Sequence, residues 1–434
     1  MITGFNQLLS NLYVQPLLYI LCLCGCAFVY CFFLKKHFLD IFDPIIYMLL
    51  GSIFATGVVV FMSVRNIVPR FDIYNLSYFF SELAFILGMA IYPKKKIQRI
   101  NNMQFKFQYN NRYDFSLDLL FYCLLFCLLL FESIIIVRTG TASDYANHVA
   151  FTASAGIFGE LSDGLLTVLL FLCWYRYYKK KYISSTVVLV LITVLLLSSG
   201  SKSALLKLGF TLFYFELFIM RKELRKVSFT KYYGLFLILA VLGMMFIVAS
   251  NERTYNLHSI CESILNRFIA FGDTFAFIYT NDNYILNIIL KNNNINNCLI
   301  EPVKRLLFIG IDSNHESVGN QIMTIASGSL VASGGVNTRH NLFFLICFGP
   351  FLCCAMSYLL GRLVIFVTRD VFYSKRMDLF RFMTFILIYE AVLSAVTDPG
   401  LFIIALFRRL PGMMILLMSI KVLVLLSSRR RLYS

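Results

Sequence analysis

Residues 115–137 read FSLDLLFYCLLFCLLLFESIIIV, a run of 23 residues in which only Asp118 and Glu132 carry a charge. An α-helix rises about 1.5 Å per residue, so about 20 apolar residues are enough to cross the hydrocarbon core of a bilayer. Runs of this kind recur along the whole chain. The sequence therefore predicts a membrane protein whose helices cross the bilayer many times.

The composition of the whole chain supports this prediction. Apolar residues make up 59% of the 434 residues and charged residues only 14%, and the mean hydropathy is +0.75. Soluble domains contain about 25% charged residues. The single tryptophan argues against an outer-membrane barrel, which carries girdles of aromatic residues at both interfaces. We expect an all-α fold in which residues 1–434 form one transmembrane domain with about 11–12 transmembrane helices.

Eleven segments have the length and hydropathy of a transmembrane helix. The segments are 11–34, 44–63, 76–92, 115–137, 160–175, 183–198, 203–220, 232–250, 341–360, 380–396 and 412–426. The ten residues before the first segment contain no Lys or Arg, so we expect no cleavable signal peptide.

Basic residues cluster at every second gap between these segments, beginning with Lys35 and Lys36 and ending with Arg429 to Arg431. These gaps hold 24 of the 39 Lys and Arg residues and are predicted to be cytoplasmic, because cytoplasmic loops are enriched in basic residues. The alternate gaps are then external. Two of these are substantial, a smaller loop at residues 138–159 and a large loop at residues 251–340. Loops carry function more often than they serve packing.

The large external loop contains two notable features. Leu257, Ile260, Ile264 and Phe268 have helical spacing, so this part is predicted to be an amphipathic helix that lies in the outer interface or caps the bundle. Cys261 and Cys298 share the loop, and they either form a disulfide or remain two unpaired thiols.

The end of this loop carries an unusual pair of residues, Arg339 and His340, at the predicted outer mouth of the ninth span. Arg339 is suited to bind an anion, and His340 can transfer a proton near neutral pH. The alternative is an Arg that extends toward the membrane interface beside a helix-capping region. We favour the functional interpretation.

A second external feature is the turn at residues 198–203, which contains Gly200, Lys202 and four serines. Its backbone amides, the start of the next helix and Lys202 are suited to hold a phosphate or pyrophosphate. Tight turns between spans also favour Gly and Ser for purely structural reasons. Lys207 strengthens the functional interpretation, because an intramembrane Lys is rarely left without a partner or a cavity.

The external loops contain no nucleotide-binding Gly-rich loop, no HExxH, no GxSxG elbow and no paired carboxylate motif. A nucleotide-driven cytoplasmic enzyme is therefore not favoured. External cationic groups above an apolar bundle suit an amphiphilic anion, such as an isoprenoid diphosphate that carries a sugar. Its leaving diphosphate can be stabilised by Arg and Lys without a metal.

Three features together resemble the O-antigen polymerase family: the span layout with one modest and one large loop, the hairpin at residues 199–206, and the Arg339–His340–Asn341 step into a span. The chain is similar, more loosely, to O-antigen ligases. The resemblance implies a lipid-carrier glycosyltransferase in the bacterial inner membrane that needs no cofactor and no metal. This enzyme would transfer a glycan from one undecaprenyl diphosphate to a repeat unit on another, at the periplasmic face.

The resemblance also implies roles for residues. Arg339 and Arg253 would bind one diphosphate, and Lys202 or Arg138 would bind the second carrier; Arg267 and Arg408 are further substrate-binding candidates. His340 is the first candidate for the base that deprotonates the acceptor sugar, with Asp273 and Glu252 behind it. The implied partners are lipid-linked oligosaccharides, the bilayer, and chain-length regulator and flippase proteins, but no nucleic acid. A ligase and a lipid-linked oligosaccharide flippase or transporter remain as alternatives.

Overall fold

A computed structural model shows that the protein is a bundle of helices. The structure describes residues 8, 10–12, 14–38, 43–68, 72–93, 113–139, 145–198, 202–215, 273–278, 284–293, 295–300, 302–304, 318–327, 337–371 and 379–430. These residues form helices and short connections and include no β-strand. The predicted all-α class is therefore confirmed for this part of the chain.

Fourteen α-helices, named here in chain order, make up the described residues. They are α1 (Pro16–Leu34), α2 (Pro44–Val64), α3 (Ile73–Ala90), α4 (Tyr113–Thr139), α5 (Tyr145–Tyr178), α6 (Tyr182–Ser198), α7 (Lys202–Phe215), α8 (Asp273–Ile278), α9 (Tyr284–Asn292), α10 (Val318–Ser327), α11 (His340–Ile365), α12 (Leu379–Thr397), α13 (Pro399–Ile404) and α14 (Leu410–Arg430). Short π-helical turns follow α11 and α13, so each of these helices continues without a loop into Phe366–Val371 or Ala405–Arg409.

Seven stretches of the described residues are long and apolar enough to cross a membrane. They are Pro16–His37, Pro44–Val64, Ile73–Ala90, Asp118–Val137, Gly156–Tyr177, His340–Arg369 and Pro399–Leu423. Two shorter apolar helices, Tyr182–Leu195 and Phe382–Thr397, accompany them. The chain is thus a multi-pass membrane protein, as predicted. The predicted span at residues 232–250 and the predicted amphipathic helix at residues 257–268 lie outside the described residues.

Helix α11 is not straight but folds back on itself. Gly349 has φ +79° and ψ 175°, a backbone conformation that only glycine adopts readily, and Pro350 follows it. Residues 17 apart in an unbroken helix would be separated by about 25 Å. His340 Nδ1 instead lies 3.1 Å from Ser357 Oγ. Residues 340–348 (the half-helix) and residues 350–365 (the return helix) are therefore the two arms of a hairpin.

The return helix packs along α3 at a crossing built from two glycines. Ser77 of α3 donates to the Pro350 carbonyl near the hairpin turn, at 3.3 Å, and Gly88 meets the backbone of Tyr358 further along. Gly361 in turn meets the backbone of Phe85. Small residues allow two backbones to approach this closely, which is a common way for helices to associate in membranes. The crossing fixes α3 against the hairpin.

The described parts of the predicted large loop also pack into the bundle. Phe275 of α8 lies against Tyr78 of α3, with ring centroids 4.6 Å apart, and Ile285 of α9 and Ile322 of α10 are fully buried in the same apolar core. In the predicted smaller loop, α4 extends to Thr139 and α5 begins at Tyr145, with a kink at Gly156. The described residues of both predicted loops are thus mostly helical.

Candidate functional site

A buried carboxylate, that of Glu82, lies near the middle of the 18-residue helix α3, and its side chain is 4% exposed. The Asn341 amide donates to Oε2 at 2.6 Å, and the Tyr30 hydroxyl of α1 donates to Oε1. A charge buried in an apolar bundle is tolerated only when it is paired and hydrogen-bonded. Glu82 is therefore the natural centre of a polar site inside the bundle.

Arg339 supplies the opposite charge from the residue just before the half-helix. Its Nη2 lies 3.4 Å from Glu82 Oε2 and donates to Ser52 Oγ of α2 at 3.0 Å. Its Nη1 donates to the Gly51 carbonyl at 3.1 Å. The guanidinium thus joins α2, α3 and the hairpin, and the charges of Arg339 and Glu82 cancel within the site.

His340 is fully buried between two polar partners. Its Nε2 lies 3.5 Å from Glu82 Oε2, and its Nδ1 lies 3.1 Å from Ser357 Oγ on the return helix. The ring also contacts Phe85, with ring centroids 4.8 Å apart. Because the half-helix begins here, its positive end adds to the field that stabilises the carboxylate. We call Glu82, Arg339, His340, Asn341 and Ser357 the Glu82 site.

A second polar cluster, the α5 network, connects five helices elsewhere in the bundle. Asp163 of α5 forms ion pairs with Lys207 of α7 and, at 2.8 Å, with Arg409. Arg409 also reaches Glu160 at 2.9 Å, and Lys207 reaches Glu390 of α12 at 3.4 Å. Nearby, Ser162 donates to Glu132 of α4. The network contains four carboxylates and two cations, all partly or fully withdrawn from solvent.

The structure brings some of the predicted site residues together. Arg339 and His340 are adjacent, and Asp273 begins α8, whose next residue Thr274 donates to the Asn337 carbonyl at 2.5 Å. Asp273 precedes Thr274, and Asn337 lies two residues before Arg339. The start of α8 and the chain segment that leads into the Glu82 site are therefore in contact. Glu252, Arg253 and Arg267 lie outside the described residues.

Three other predicted residues belong to helices of the α5 network. Arg138 is in the last turn of α4, Lys202 is the first residue of α7, and Arg408 is half-buried beside Arg409. The predicted site residues that the structure describes thus lie in two places rather than in a single patch. Arg339 and His340 contact Glu82, whereas Lys202, Arg138 and Arg408 lie on the helices around α5.

Arg339 and His340, which we predict at the outer mouth of a span, lie beside the middle of α3, because the hairpin at Gly349 returns the chain past them. The guanidinium of Arg339 is already engaged by Glu82, Ser52 and Gly51.

Sequence reasoning missed Glu82, Tyr30 and Ser357. A Glu in the middle of an apolar segment and a Gly–Pro pair inside another were the signals that could have identified the site.

The donor sets of both clusters favour ion pairing and hydrogen bonding over metal binding. Among the described residues, no three His, Cys, Asp or Glu side chains converge in a way that could hold a metal ion. No protein-family profile, curated protein or solved structure matches this chain.

Proposed function

We propose that this protein is a surface-polysaccharide polymerase of the O-antigen type, which joins undecaprenyl-diphosphate-linked repeat units at the periplasmic face of the inner membrane. A layout of about eleven crossings with a large external loop, typical of lipid-carrier glycosyltransferases, is part of this proposal. In the reaction, the bond between the donor sugar and its diphosphate breaks. A glycosidic bond forms to the acceptor hydroxyl, a base takes the acceptor proton, and undecaprenyl diphosphate leaves.

The observation that carries the proposal is the position of the Arg339–His340–Asn341 step. The resemblance to the polymerase family rests partly on this step, and all three side chains contact the buried carboxylate of Glu82. An apolar bundle gains little from burying an Arg, a His and a Glu for packing alone, since intramembrane ionisable groups are expensive and usually functional. The polar centre of the bundle is therefore built from residues that the resemblance singles out.

The cationic residues of the α5 helices support binding of a diphosphate. Lys202 begins α7, where the backbone amides of a helix start point outward, and Arg408 and Arg138 belong to neighbouring helices. A leaving diphosphate develops negative charge in the transition state, and positioned Arg and Lys side chains stabilise it. We assign these three residues to the lipid diphosphates.

We assign the base that takes the acceptor proton to the residues around Glu82. His340 is the first candidate, since its Nδ1 is within hydrogen-bond distance of Ser357 Oγ and its Nε2 lies 3.5 Å from the carboxylate of Glu82. Asp273, beside the same chain segment, and Glu252 are the alternatives. Arg339 would hold the half-helix in place and add positive charge near the reacting groups.

A transporter for lipid-linked oligosaccharides is the second candidate function, and the α5 network favours it. Four carboxylates and two cations on five helices resemble the interior charges that line ion and substrate paths in transporters. A flippase would act before polymerisation, so its loss would leave repeat units on the cytoplasmic side. The two functions therefore differ in where the unpolymerised repeat unit accumulates.

The experiment is to measure surface glycan length on gels in a strain that lacks the gene. A polymerase deletion leaves one repeat unit attached to the lipid A core, whereas loss of a ligase or a flippase leaves the core bare. Complementation with Arg339→Gln and His340→Gln is expected to give the same single-unit glycan. Lys202→Gln and Arg408→Gln are expected to shorten the polymer. A bare core in the deletion strain would overturn the proposal.

A matched control is provided by a second buried histidine. His37 is also shielded from solvent but lies in the turn after α1, far along the chain from the Glu82 site. His37→Gln makes the same side-chain change as His340→Gln and should leave polymer length unchanged. The membrane level of each variant is measured by fluorescence-detected size exclusion, so that loss of protein is distinguished from loss of activity.

A further inference from the structure

The two ring nitrogens of His340 face partners of different chemistry. Nε2 lies 3.5 Å from Glu82 Oε2, close enough for an electrostatic contact but without a hydrogen bond, and Nδ1 lies within hydrogen-bond distance of Ser357 Oγ, 3.1 Å away. An ionised carboxylate only accepts hydrogen bonds, whereas a serine hydroxyl can donate or accept. The carboxylate therefore decides which nitrogen carries the proton.

The tautomer follows from this asymmetry. A neutral His340 that carried its proton on Nδ1 would turn the Nε2 lone pair toward a carboxylate, and two acceptors would face each other in a buried site. With the proton on Nε2, the positive end of the N–H dipole faces the carboxylate of Glu82, and the Nδ1 lone pair can accept from the Ser357 hydroxyl. A doubly protonated ring would add an uncompensated charge, because Arg339 already neutralises Glu82.

Glu82 is itself held firmly enough to direct the imidazole. Tyr30 donates to its Oε1, and Asn341 donates to its Oε2 at 2.6 Å. These bonds come from α1 and from the half-helix, so the carboxylate is fixed from two sides of α3. A carboxylate that is fixed in this way orients a neighbouring histidine, as in the catalytic triads of hydrolases.

We propose that Glu82 is the positioning residue of this site, which holds His340 as the Nε2–H tautomer and makes Nδ1 its basic atom. The catalytic part of this inference rests on the proposed polymerase function. The Ser357 hydroxyl then occupies the position on Nδ1 that an acceptor sugar hydroxyl takes during the reaction. Nδ1 then accepts the sugar proton, while Nε2 keeps its own proton on the side of Glu82.

The tautomer is tested on the purified full-length chain by nitrogen NMR with ¹⁵N-labelled histidine. The chain contains five histidines, and the signals that disappear in His340→Gln identify those of His340. We expect the unprotonated-type signal at Nδ1 and the protonated-type signal at Nε2. In Glu82→Gln this preference should be lost, while Glu132→Gln, which removes a carboxylate of the α5 network, should leave it unchanged. An Nδ1–H tautomer in the wild type would overturn the proposal.

The catalytic role is tested by polymer formation in membranes supplied with lipid-linked repeat units. Partners that orient an imidazole at metal sites contribute about 10- to 100-fold, and we expect Glu82→Gln to lower the turnover rate by the same order with little change in KM. Glu82→Asp, which keeps the charge, should recover part of the rate.

These experiments distinguish failure of the positioning role of Glu82 from failure of His340 as the base. An unchanged rate in Glu82→Gln, combined with activity loss in His340→Gln, would overturn the positioning role and leave the polymerase proposal intact. Normal polymer in His340→Gln would instead overturn the assignment of the base, whatever the NMR shows. If all Glu82 variants were absent from the membrane, the tautomer of the wild type would still decide whether Nδ1 is the basic atom.

Discussion

Alanine at either glycine of the crossing between α3 and the return helix should separate the two helices. A Cβ on Gly361 would lie less than 3.0 Å from the Phe85 carbonyl oxygen and 3.2 Å from the Met89 nitrogen. A Cβ on Gly88 would lie less than 3.0 Å from the Tyr358 carbonyl oxygen. These neighbours are backbone atoms, which cannot rotate away as a side chain can. Each substitution must therefore move a helix.

The size of the effect follows from this geometry. Overpacking a core typically costs about 1–3 kcal/mol, and contact with backbone puts each single variant near the upper end. A loss of about 3 kcal/mol lowers the folding equilibrium constant roughly 100-fold. Both new methyl groups push apart the same helix pair, so the first one makes room for the second. We expect the double variant Gly88→Ala/Gly361→Ala to lose clearly less than the sum of the single losses.

The assay is equilibrium unfolding of the purified protein in mixed detergent with increasing sodium dodecyl sulfate, followed by circular dichroism. Gly25→Ala is the matched control, since a Cβ at that position in α1 would meet no atom within 4 Å beyond its chain neighbours and the backbone of its own helix. It should unfold like the wild type or slightly later, because alanine favours a helix over glycine by about 1 kcal/mol. Wild-type stability in Gly361→Ala, or strict additivity in the double variant, would refute the reasoning.

Two further predictions concern buried charges near helix ends. Arg369→Met removes the guanidinium that pairs with Asp43 at a fully buried position, which should cost about 3–5 kcal/mol; adding Asp43→Asn should restore part of the loss in the same unfolding assay. Burial raises the pKa of the Asp398 carboxyl, which caps α13, to about 6. The folded state then binds this proton more tightly than the unfolded state, so wild-type stability should fall as the pH rises from 4 toward 7. Asp398→Asn keeps the capping oxygen and should remove this pH dependence; a drop of equal size in the variant would contradict it.

Much of the fold could be predicted from the sequence, because lipid imposes a local requirement. A helix that crosses a bilayer must satisfy its own backbone and present apolar side chains, so its signature is contained within about 20 residues. The run at residues 115–137, for example, lies within α4 (Tyr113–Thr139). The predicted span at residues 44–63 likewise agrees with α2, but the span predicted at residues 341–360 is divided by the hairpin at Gly349.

The Glu82 site could be predicted only in part, because its contacts join distant segments. Arg339 and His340 were identified by their unusual residue types, but their partner lies more than 250 residues earlier in the sequence. Their depth in the bundle depends on a single glycine, Gly349, whose backbone conformation reverses the chain. A 30-residue apolar run gives no local sign of where it folds back unless its Gly–Pro pair is interpreted as a turn.

The long sequence separation within the Glu82 site also has a consequence for biosynthesis. Glu82 and Arg339 are 257 residues apart, and ribosomes add about 5–20 residues per second, so the carboxylate enters the membrane roughly 10 to 50 s before its guanidinium partner is made. During that interval Tyr30 is already present, but the half-helix is not. The early helices must therefore keep Glu82 protonated or hydrated until the hairpin inserts. A nascent chain that stops before residue 339 is left with a buried carboxylate that lacks its cationic partner.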